Sequence, residues 1–423
     1  MSDTAPVQPS SEIAPDVVVV GGGIAGLWTL NVLCQQGYNA ILLENEALGS
    51  DQTVASQGMI HGGIKYTLGG TLTGASEAIA DMPDHWRACL RGEGDVDLRG
   101  ARVLSEHFYL WSTASLGSRL GGFFASKLTR GRVETTRNAD LPELFRTPAF
   151  KGKLYKLVDM VVDTQSVLRA LAERCADRIF HVPLSRCSWD REATRTTLRI
   201  TAPEGEFRLQ PAAFVFAAGR GNADLLNHIG ATAPQMQLRP LQQVMVRHRL
   251  NHRFYGHCLG AETTPRLTIS THPLGDGSLV WYLGGSLAEK GAQQSADEVI
   301  ASARQELASL MPWLDLSNAE WAAWPVSRAE PRQRQLARPD NAFAAWAEPA
   351  SNVITAWPTK LTLSPHLAAE VLRLLQERGV SPSRGESFVP PPTLPFAPPP
   401  VSLAPWEKVF GVTADSHGES HDS

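Results

Sequence analysis

The sequence predicts an α/β fold in which one domain is built on a parallel sheet and a second domain on an antiparallel sheet. At 423 residues the chain is longer than a single ordinary core, so two domains are expected. A run of four valines, followed by glycines and an apolar-periodic segment, is typical of the strand, turn and helix that open a parallel sheet. Short β-like runs recur between residues 238 and 285, which indicates an antiparallel sheet.

The stretch 16–44 carries the most specific motif of the chain. Val17–Val20 are β-branched and uninterrupted, as in a strand that is buried on both faces. Gly21, Gly23 and Gly26 then give the pattern G-x-G-x-x-G. The first glycine permits a tight turn, the second lets a pyrophosphate approach the backbone, and the third lets helix and strand pack closely. Glu44 ends the next strand, where a carboxylate can accept hydrogen bonds from ribose hydroxyls. The motif therefore predicts a Rossmann-like, dinucleotide-binding unit.

Bulk composition argues against several classes of protein. The formal net charge of −4 is too near balance to indicate a nucleic-acid partner. No apolar run is long enough to cross a bilayer. The five cysteines are scattered and include no C-x-x-C pair, which argues against a disulfide framework, an iron–sulfur cluster or structural zinc. We therefore expect a cytoplasmic protein without a metal centre.

The two ends of the chain differ in composition from the rest. Residues 1–15 are polar, do not resemble a signal peptide, and are predicted to be disordered. Residues 381–423 contain two Pro-Pro-Pro runs and a polar tail, so we expect an extended arm that supplies no core of its own.

Distant segments are expected to complete the nucleotide-binding domain. Residues 213–219 predict a buried strand that runs into a glycine-bearing turn, and residues 352–376 predict a strand followed by a helix. The predicted nucleotide-binding domain is thus discontinuous and comprises residues 16–85, 151–235 and 331–380. The predicted substrate domain comprises residues 86–150 and 236–330.

Residues 116–132 allow two interpretations. Leucine and phenylalanine side chains fall on one helical face, and basic side chains lie nearby. We favour a core-facing helix with a solvated basic side, because Gly121 and Gly122 weaken the helix. The alternative is a peripheral helix on the inner membrane surface, within reach of a quinone.

The fingerprint, the Ala217-Ala218-Gly219 turn and the closing strand–helix together resemble the FAD-dependent D-amino-acid oxidase-like superfamily. This superfamily includes glycine oxidase, L-2-hydroxyglutarate oxidase and glycerol-3-phosphate dehydrogenase. The segment Ile60-His61-Gly62-Gly63-Ile64-Lys65-Tyr66 is similar to the H-G-G-L-R-Y segment of glycerol-3-phosphate dehydrogenases, with lysine in place of arginine. Lys360-Leu361-Thr362 is similar to their K-L-T stretch near the flavin ring. The resemblance implies FAD as the cofactor, and the chain lacks the second G-x-G-x-x-G with which disulfide reductases bind NAD.

The resemblance also implies roles for two residues near the flavin. His61 is the expected proton acceptor, because imidazole titrates near neutral pH. A covalent link between His61 and the flavin is an alternative, and so is a histidine that is merely hydrogen-bonded beside the cofactor. Lys360 is expected to stabilise negative charge on the reduced flavin or to contact the substrate, the alternative being a surface lysine at a helix start.

Substrate contacts are expected from charged and phenolic side chains. Arg328 lies where the family places an arginine that faces the substrate anion, and with Lys65 it is the expected clamp for a carboxylate or phosphate. An ordinary interdomain ion pair is the alternative for Arg328. Tyr66, Tyr255 and Tyr282 are expected on the substrate face, although each tyrosine taken singly is as well explained by the core.

A larger set of residues is expected to contact FAD, as the fingerprint and the resemblance imply. For the ADP half we expect Gly21, Gly23, Ile24, Ala25, Gly26 and Glu44, with Val182 at the adenine edge and Ala218 and Gly219 on the neighbouring strand. For the pyrophosphate or ribose we expect Ser50, Gln52 and Thr53. For the flavin we expect Ala55, Ser56, Gln57, Gly58, Lys360, Leu361 and Thr362.

The expected protein is a Rossmann-like FAD-binding domain with a parallel sheet, joined to a substrate domain with an antiparallel sheet. It would oxidise a small anionic substrate, a 2-hydroxy acid or a glycerol-3-phosphate-like alcohol, by hydride transfer to the flavin. An amino acid or secondary amine is the nearest alternative. An alternative of another class is a redox-inactive FAD protein that acts in binding or assembly. Oxygen, a quinone or a carrier protein would accept the electrons.

Overall fold

The computed structural model describes residues 11–62, 79–113, 133–136, 140–192, 195–260, 264–334, 339, 341–350, 352–383 and 393–411. The expected helix within 116–132, the residues Lys65 and Tyr66, and the polar tail from residue 412 lie outside these ranges. Within them, no helix has both the length and the apolar character needed to cross a membrane. Eight α-helices occur in the described ranges: α1 (Ile24–Gln35), α2 (Met82–Arg91), α3 (Thr164–Arg174), α4 (Asn222–His228), α5 (Ser286–Gly291), α6 (Ala296–Leu310), α7 (Ser364–Glu377) and α8 (Pro405–Phe410).

A six-stranded sheet has the valine run near its centre. From edge to edge its strands are β10 (Ile179–His181), β3 (Ala40–Glu44), β2 (Val17–Val20), β14 (Ala213–Phe216), β21 (Val353–Trp357) and β20 (Phe343–Trp346). All neighbours are parallel except the edge pair β20–β21. The predicted parallel sheet is therefore confirmed, including its assembly from distant segments of the chain.

The valines of β2 are buried on both faces of this sheet. Val17 and Val19 pack into a cluster with Trp28 of α1 and with helices α3 and α7. Val18 and Val20 pack on the opposite face with Phe214 and Phe216 of β14. A strand covered on both sides needs apolar residues at every position, which explains the uninterrupted run.

An eight-stranded sheet forms the second layer of the molecule. Its strands, in spatial order, are β19 (Glu320–Pro331), β15 (Met236–His248), β18 (Leu279–Gly284), β17 (Leu267–Pro273), β16 (Gly256–Cys258), β6 (Phe108–Ser112), β8 (Lys153–Leu157) and β7 (Val133–Thr135). The pairs are antiparallel except β6–β16, which is parallel. Helix α6 packs on this sheet through Val299, Ala303 and Leu307. Strand β8 belongs here, whereas the predicted domain boundary placed residues after 150 with the parallel sheet.

Two small sheets complete the fold. One contains β4 (Met59–Ile60), β9 (Met160–Val162) and β5 (Val103–Ser105), and it places residue 61 directly after β4. The other contains β1 (Ser11–Ile13), β13 (Gly205–Leu209), β12 (Arg195–Ala202) and β11 (Cys187–Glu192). The prediction of disorder through residue 15 is wrong for Ser11–Ile13, because this segment pairs in parallel with β13.

The described part of the C-terminal arm packs against the rest of the chain and adds side chains to clusters formed mainly by other segments. The backbone of Leu48 bonds to Pro400 and Ser402, so the arm runs along the nucleotide-binding unit. Beyond it, α8 buries Trp406 against Tyr282 and stacks its indole on the ring of His272, with a centroid distance of 3.7 Å. Trp406 therefore anchors the end of the arm to the eight-stranded sheet.

Candidate active site

A cavity of about 820 Å³ lies between the glycine-rich corner and the eight-stranded sheet. This volume is in the upper part of the range of roughly 300–1,000 Å³ that is common for ligand sites. Most of the predicted site residues line it: Gly21, Gly23, Ile24, Ala25, Glu44, Ser50, Gln52, Thr53, Ala55, Ser56, Gln57, His61, Val182, Ala218, Gly219, Arg328, Lys360 and Leu361. Three others, Gly26, Gly58 and Thr362, contact the residues that form its wall.

The glycine corner is shaped by backbone crowding. Gly21 has φ +111°, and a Cβ atom there would lie 2.6 Å from the Cα of Ala218. A Cβ atom on Gly26 would overlap the carbonyl oxygen of Gly21, so the third glycine allows α1 to pack on β2, as predicted. Gly23 is the N-cap of α1, and its backbone borders the cavity. The corner thus presents the positive end of the helix dipole to the cavity.

Glu44 lies at the end of β3, next to this corner. Its Oε2 accepts a hydrogen bond of 2.5 Å from the backbone N–H of Gly22, and its Oε1 accepts two more from Asn45 and Glu46. Burial raises the pKa of the carboxyl group, and these backbone hydrogen bonds oppose the rise. The sequence did not single out Gly22, yet a Cβ atom there would come within 2.6 Å of the Leu48 side chain. Glu44 therefore ties the end of β3 to the glycine corner at the edge of the cavity.

The segment 50–58 joins the corner to the eight-stranded sheet. Thr53 Oγ1 accepts a hydrogen bond from the N–H of Ile24, so it lies at the N-terminus of α1. Gln52 accepts from the N–H of Ala329 at 2.6 Å, and Gln57 donates to the carbonyl of Tyr282 at 2.8 Å. The two amides therefore fix this segment against β18 and β19.

Gly58 and Val182, two of the residues expected to contact FAD, interact with the backbone of neighbouring strands. Gly58 was expected to line the flavin, but it has φ +70° and a Cβ atom there would overlap the carbonyl oxygen of Val162. This glycine is needed for packing against β9. Val182 borders the cavity, but its N–H donates to the carbonyl of Glu44 at 2.7 Å. An adenine contact through the backbone of Val182 would therefore use its carbonyl oxygen.

His61 is held by a carboxylate that the sequence did not indicate. Its Nδ1 lies 3.2 Å from Oδ2 of Asp159, and Oδ1 of Asp159 accepts a hydrogen bond from the N–H of Gly62. Asp159 is 1% exposed and His61 is 6% exposed, so the pair is shielded from water. With Nδ1 facing Asp159, any proton exchange between His61 and a molecule in the cavity would use Nε2.

Two further side chains position His61. The N–H of His61 donates to Oγ1 of Thr362 at 3.0 Å, and the carbonyl of Thr362 accepts from the indole of Trp86. Thr362 therefore acts through the backbone of His61. The ring of His257 lies parallel to that of His61, with a centroid distance of 5.9 Å, and its Nδ1 lies 2.8 Å from the hydroxyl of Thr268. His257 also lines the cavity, although the sequence did not predict it.

Arg328 and Lys360 both line the cavity. Arg328 lies on β19, and its Nη2 is 3.5 Å from Oε1 of Glu289 on α5. Glu289 lines the cavity as well, so the structure shows an ion pair for Arg328, while its contact with a substrate anion stays a prediction. Lys360 is 7% exposed, which excludes the alternative of a surface lysine.

The two expected tyrosines that lie in the described ranges, Tyr255 and Tyr282, do not line the cavity. Tyr255 packs with Phe108 and Val161, and Tyr282 is fully buried against Trp406. Both are core residues, as the alternative interpretation held. Tyr66 and Lys65 lie outside the described residues.

The residues of the cavity fit an FAD molecule. Three features suit the ADP half of FAD. They are a glycine corner that has no room for Cβ atoms, the N-terminus of α1, and the carboxylate of Glu44 at the end of β3. Ala55, Ser56, Gln57 and Leu361, which were expected to contact the flavin, line the same cavity.

Comparisons with known proteins agree with this fit. The model of the FAD dependent oxidoreductase (DAO) family matches residues 16–359. The chain is 47% identical over 399 residues to the probable FAD-dependent oxidoreductase PA4991 of Pseudomonas aeruginosa, covering 94% of this chain and 99% of that protein. The crystal structure of PA4991 aligns with a TM-score of 0.79 and 42% identity over 95% of this chain and 99% of the other.

More distant solved structures share the fold. Glycine oxidase from Geobacillus kaustophilus aligns with a TM-score of 0.61 and 16% identity, over 96% of this chain and all of the other. L-α-glycerophosphate oxidase from Mycoplasma pneumoniae, solved with FAD bound, aligns with a TM-score of 0.61 and 15% identity, over 86% and 95% of the two chains. The family match and the PA4991 relative together establish that this chain belongs to the DAO family of FAD-dependent oxidoreductases.

Proposed function

We propose that this oxidoreductase removes two electrons from a small anionic compound at a carbon that bears a hydroxyl group, with 2-hydroxy acids and glycerol-3-phosphate-like alcohols as the substrate class. The observation that carries the proposal is the buried pair of His61 and Asp159 at the cavity. FAD, when bound, supplies the acceptor for the hydride. The chain must then hold the substrate and take up the hydroxyl proton.

The His61–Asp159 pair favours an alcohol over an amine as the donor. When a hydride leaves an alcohol carbon, the hydroxyl proton must also leave, so a base within reach lowers the barrier. A neutral amine can instead stabilise the developing positive charge with its own lone pair and needs no such base. Asp159 would orient the imidazole and stabilise its positive charge once the proton has moved from the hydroxyl oxygen to Nε2.

The anionic handle of the substrate would be held by cationic side chains of the cavity. Arg328 offers a planar fork that suits a carboxylate or a phosphate. Its neighbour Glu289, at 3.5 Å, would orient the guanidinium. Arg239 lies 3.6 Å from the same carboxylate, but it is paired more closely with Glu330, at 2.7 Å. Lys360, which is 7% exposed, adds a second basic side chain to the same cavity.

Substitution of Arg328 with methionine is expected to raise KM by about 10- to 100-fold, because a charge-assisted hydrogen bond to the substrate is lost. FAD affinity should change little, and steady-state kinetics with fluorimetric FAD titration measures both. The matched control is Arg332→Met, at an exposed arginine that bonds Gln235 near the same strand. An unchanged KM in Arg328→Met would refute the clamp.

An amino acid or a secondary amine is the nearest rival substrate, and the relatives of the same fold include both a glycine oxidase and a glycerophosphate oxidase. A protein in which the flavin is redox-inactive is the rival of another class. Oxygen, a quinone or a carrier protein would take the electrons onward.

The test is anaerobic mixing of the purified holoprotein with matched pairs that differ only in the donor atom, such as glycolate and glycine or lactate and alanine, together with glycerol 3-phosphate. Loss of flavin absorbance with a hydroxy compound, and not with its amino partner, would support the proposal. Bleaching by the amino compounds alone would show that the substrate is an amine and not an alcohol. No bleaching by any compound, in a protein that dithionite reduces normally, would favour the redox-inactive alternative.

A further inference from the structure

A second group of side chains with metal-binding chemistry lies away from the cavity, on helix α2. His85 and Cys89 are four residues apart and therefore lie on one face of the helix. Asp95 follows in the next loop, and its Oδ1 lies 2.7 Å from Nε2 of His85 and 3.2 Å from Sγ of Cys89. The three ligand atoms lie within 4.8 Å of one another. An imidazole nitrogen, a sulfur and a carboxylate oxygen thus converge on one point.

The loop after α2 is built to bring Asp95 to this point. Gly92 ends the helix in the left-handed conformation, and the N–H of Leu98 bonds back to the carbonyl of Cys89. A Cβ atom on Gly94 would overlap Cys89 Sγ, so the chain crosses directly over the sulfur. The buried indole of Trp28 donates to Oδ2 of Asp95 at 3.0 Å, which turns Oδ1 toward His85 and Cys89. Outer hydrogen bonds of this kind orient carboxylate ligands in metal sites.

We propose that His85, Cys89 and Asp95 form a binding site for one divalent metal ion, with Zn²⁺ as the best match for a nitrogen, sulfur and oxygen donor set. In tetrahedral zinc coordination the nitrogen–oxygen edge is about 3.3 Å and the sulfur–oxygen edge about 3.5 Å, as follows from the usual bond lengths. The observed distances of 2.7 and 3.2 Å are those of hydrogen bonds, and they need to lengthen by about 0.6 and 0.3 Å. Metal binding would replace the hydrogen bonds that link Asp95 to His85 and to Cys89.

The proposed site is partly exposed, so a metal ion could enter it from solvent. The side chains of His85 and Asp95 are 34% and 29% exposed, whereas Cys89 is buried beneath them. The Cys89 thiol donates a hydrogen bond to Oδ1 of Asp95 at 3.2 Å. Metal coordination would release the thiol proton to solvent.

Water would supply the fourth ligand. Three protein ligands and one water is a common arrangement for zinc.

The site would stabilise α2 next to the active-site cavity. Trp86, between the two helical ligands, packs against Trp28 with a centroid distance of 4.7 Å and donates to the carbonyl of Thr362. Thr362 in turn binds the backbone of His61. A bound ion would therefore fix the helix that supports this hydrogen bond, without contacting the substrate.

The test uses the full chain with FAD bound, treated with a chelator and then dialysed. The tail histidines His417 and His421 are replaced with alanine in every sample, so that they cannot contribute. Zn²⁺ is titrated against a chromophoric competitor, and we expect one equivalent to bind with a Kd below about 1 µM. Co²⁺ should quench the fluorescence of the neighbouring Trp28 and Trp86 and give a thiolate charge-transfer band.

His85→Gln and Asp95→Asn keep hydrogen-bonding groups at partly exposed positions, so these variants are expected to fold. Each should weaken Zn²⁺ binding by about 10- to 100-fold, and Cys89→Ser should abolish the charge-transfer band. Cys258→Ser, at a buried cysteine in the eight-stranded sheet, is the control and should bind as the parent does. Substoichiometric or weak Zn²⁺ binding by the parent, or equal binding by parent, His85→Gln and Asp95→Asn, would overturn the proposal.

Discussion

Replacement of His61 with asparagine is expected to lower the rate of flavin reduction by substrate by about 10²- to 10⁴-fold, the usual contribution of a positioned general base. Asparagine is close in size and cannot accept a proton from the substrate at neutral pH. Asp159 would keep its hydrogen bond from the N–H of Gly62, so the local backbone should be retained. Stopped-flow absorbance under anaerobic conditions measures the rate directly.

The same variant separates the two functional roles of His61. If the histidine is covalently joined to the flavin, the yellow colour stays with the denatured wild-type chain and leaves the denatured variant. If it acts only as the base, both proteins release FAD on denaturation and only the variant is slow. His181→Asn, at a histidine on the outer strand β10 that bonds the carbonyl of Asn45, is the control. Wild-type turnover and flavin retention in His61→Asn would remove both roles.

Substitution of Gly26 with valine is expected to destabilise the protein by about 3 kcal/mol or more and to yield a chain that purifies without FAD. The added Cβ atom would overlap the carbonyl oxygen of Gly21 and force α1 away from β2. That movement displaces the helix N-terminus from the cavity. The flavin-to-protein absorbance ratio and the thermal unfolding midpoint measure the two effects.

The control for this variant lies one turn further along the same helix. Thr29 is 1% exposed, and its hydroxyl has no hydrogen-bond partner in the described part of the chain. Thr29→Val introduces the same β-branched residue without adding volume, so FAD content should remain that of wild type. A Gly26→Val protein with stoichiometric FAD and an unchanged unfolding midpoint would contradict the packing argument.

The nucleotide-binding half of the site could be predicted because its determinants are local. The turn from β2 into α1 needs glycine at fixed positions, and Glu44 follows after one strand, so a short stretch of sequence contains the whole arrangement. The resemblance extended this prediction to His61 and Lys360, which the structure brings to the same cavity.

The substrate half could be predicted only in part, because it depends on contacts between distant segments. Asp159 reaches His61 through the pairing of β9 with β4, across nearly one hundred residues. His257 lies on β16 of the eight-stranded sheet. Neither has a local pattern that distinguishes it from an ordinary core residue. Tyr282 is the opposite case. As a tyrosine it was expected to contact the substrate, but its position on β18 buries it against Trp406.

The most direct test of the account is the rate of anaerobic flavin reduction by the best hydroxy substrate in wild type and in Asp159→Asn, measured across pH. The asparagine amide would donate to Nδ1 of His61 and leave the ring proton on Nε2, the atom that must accept. We expect the variant to be slower than the wild type by about 10²-fold or more across the pH range, with normal FAD content. Equal rates and equal pH profiles in the two proteins would contradict the claim that this histidine–carboxylate pair takes the substrate proton.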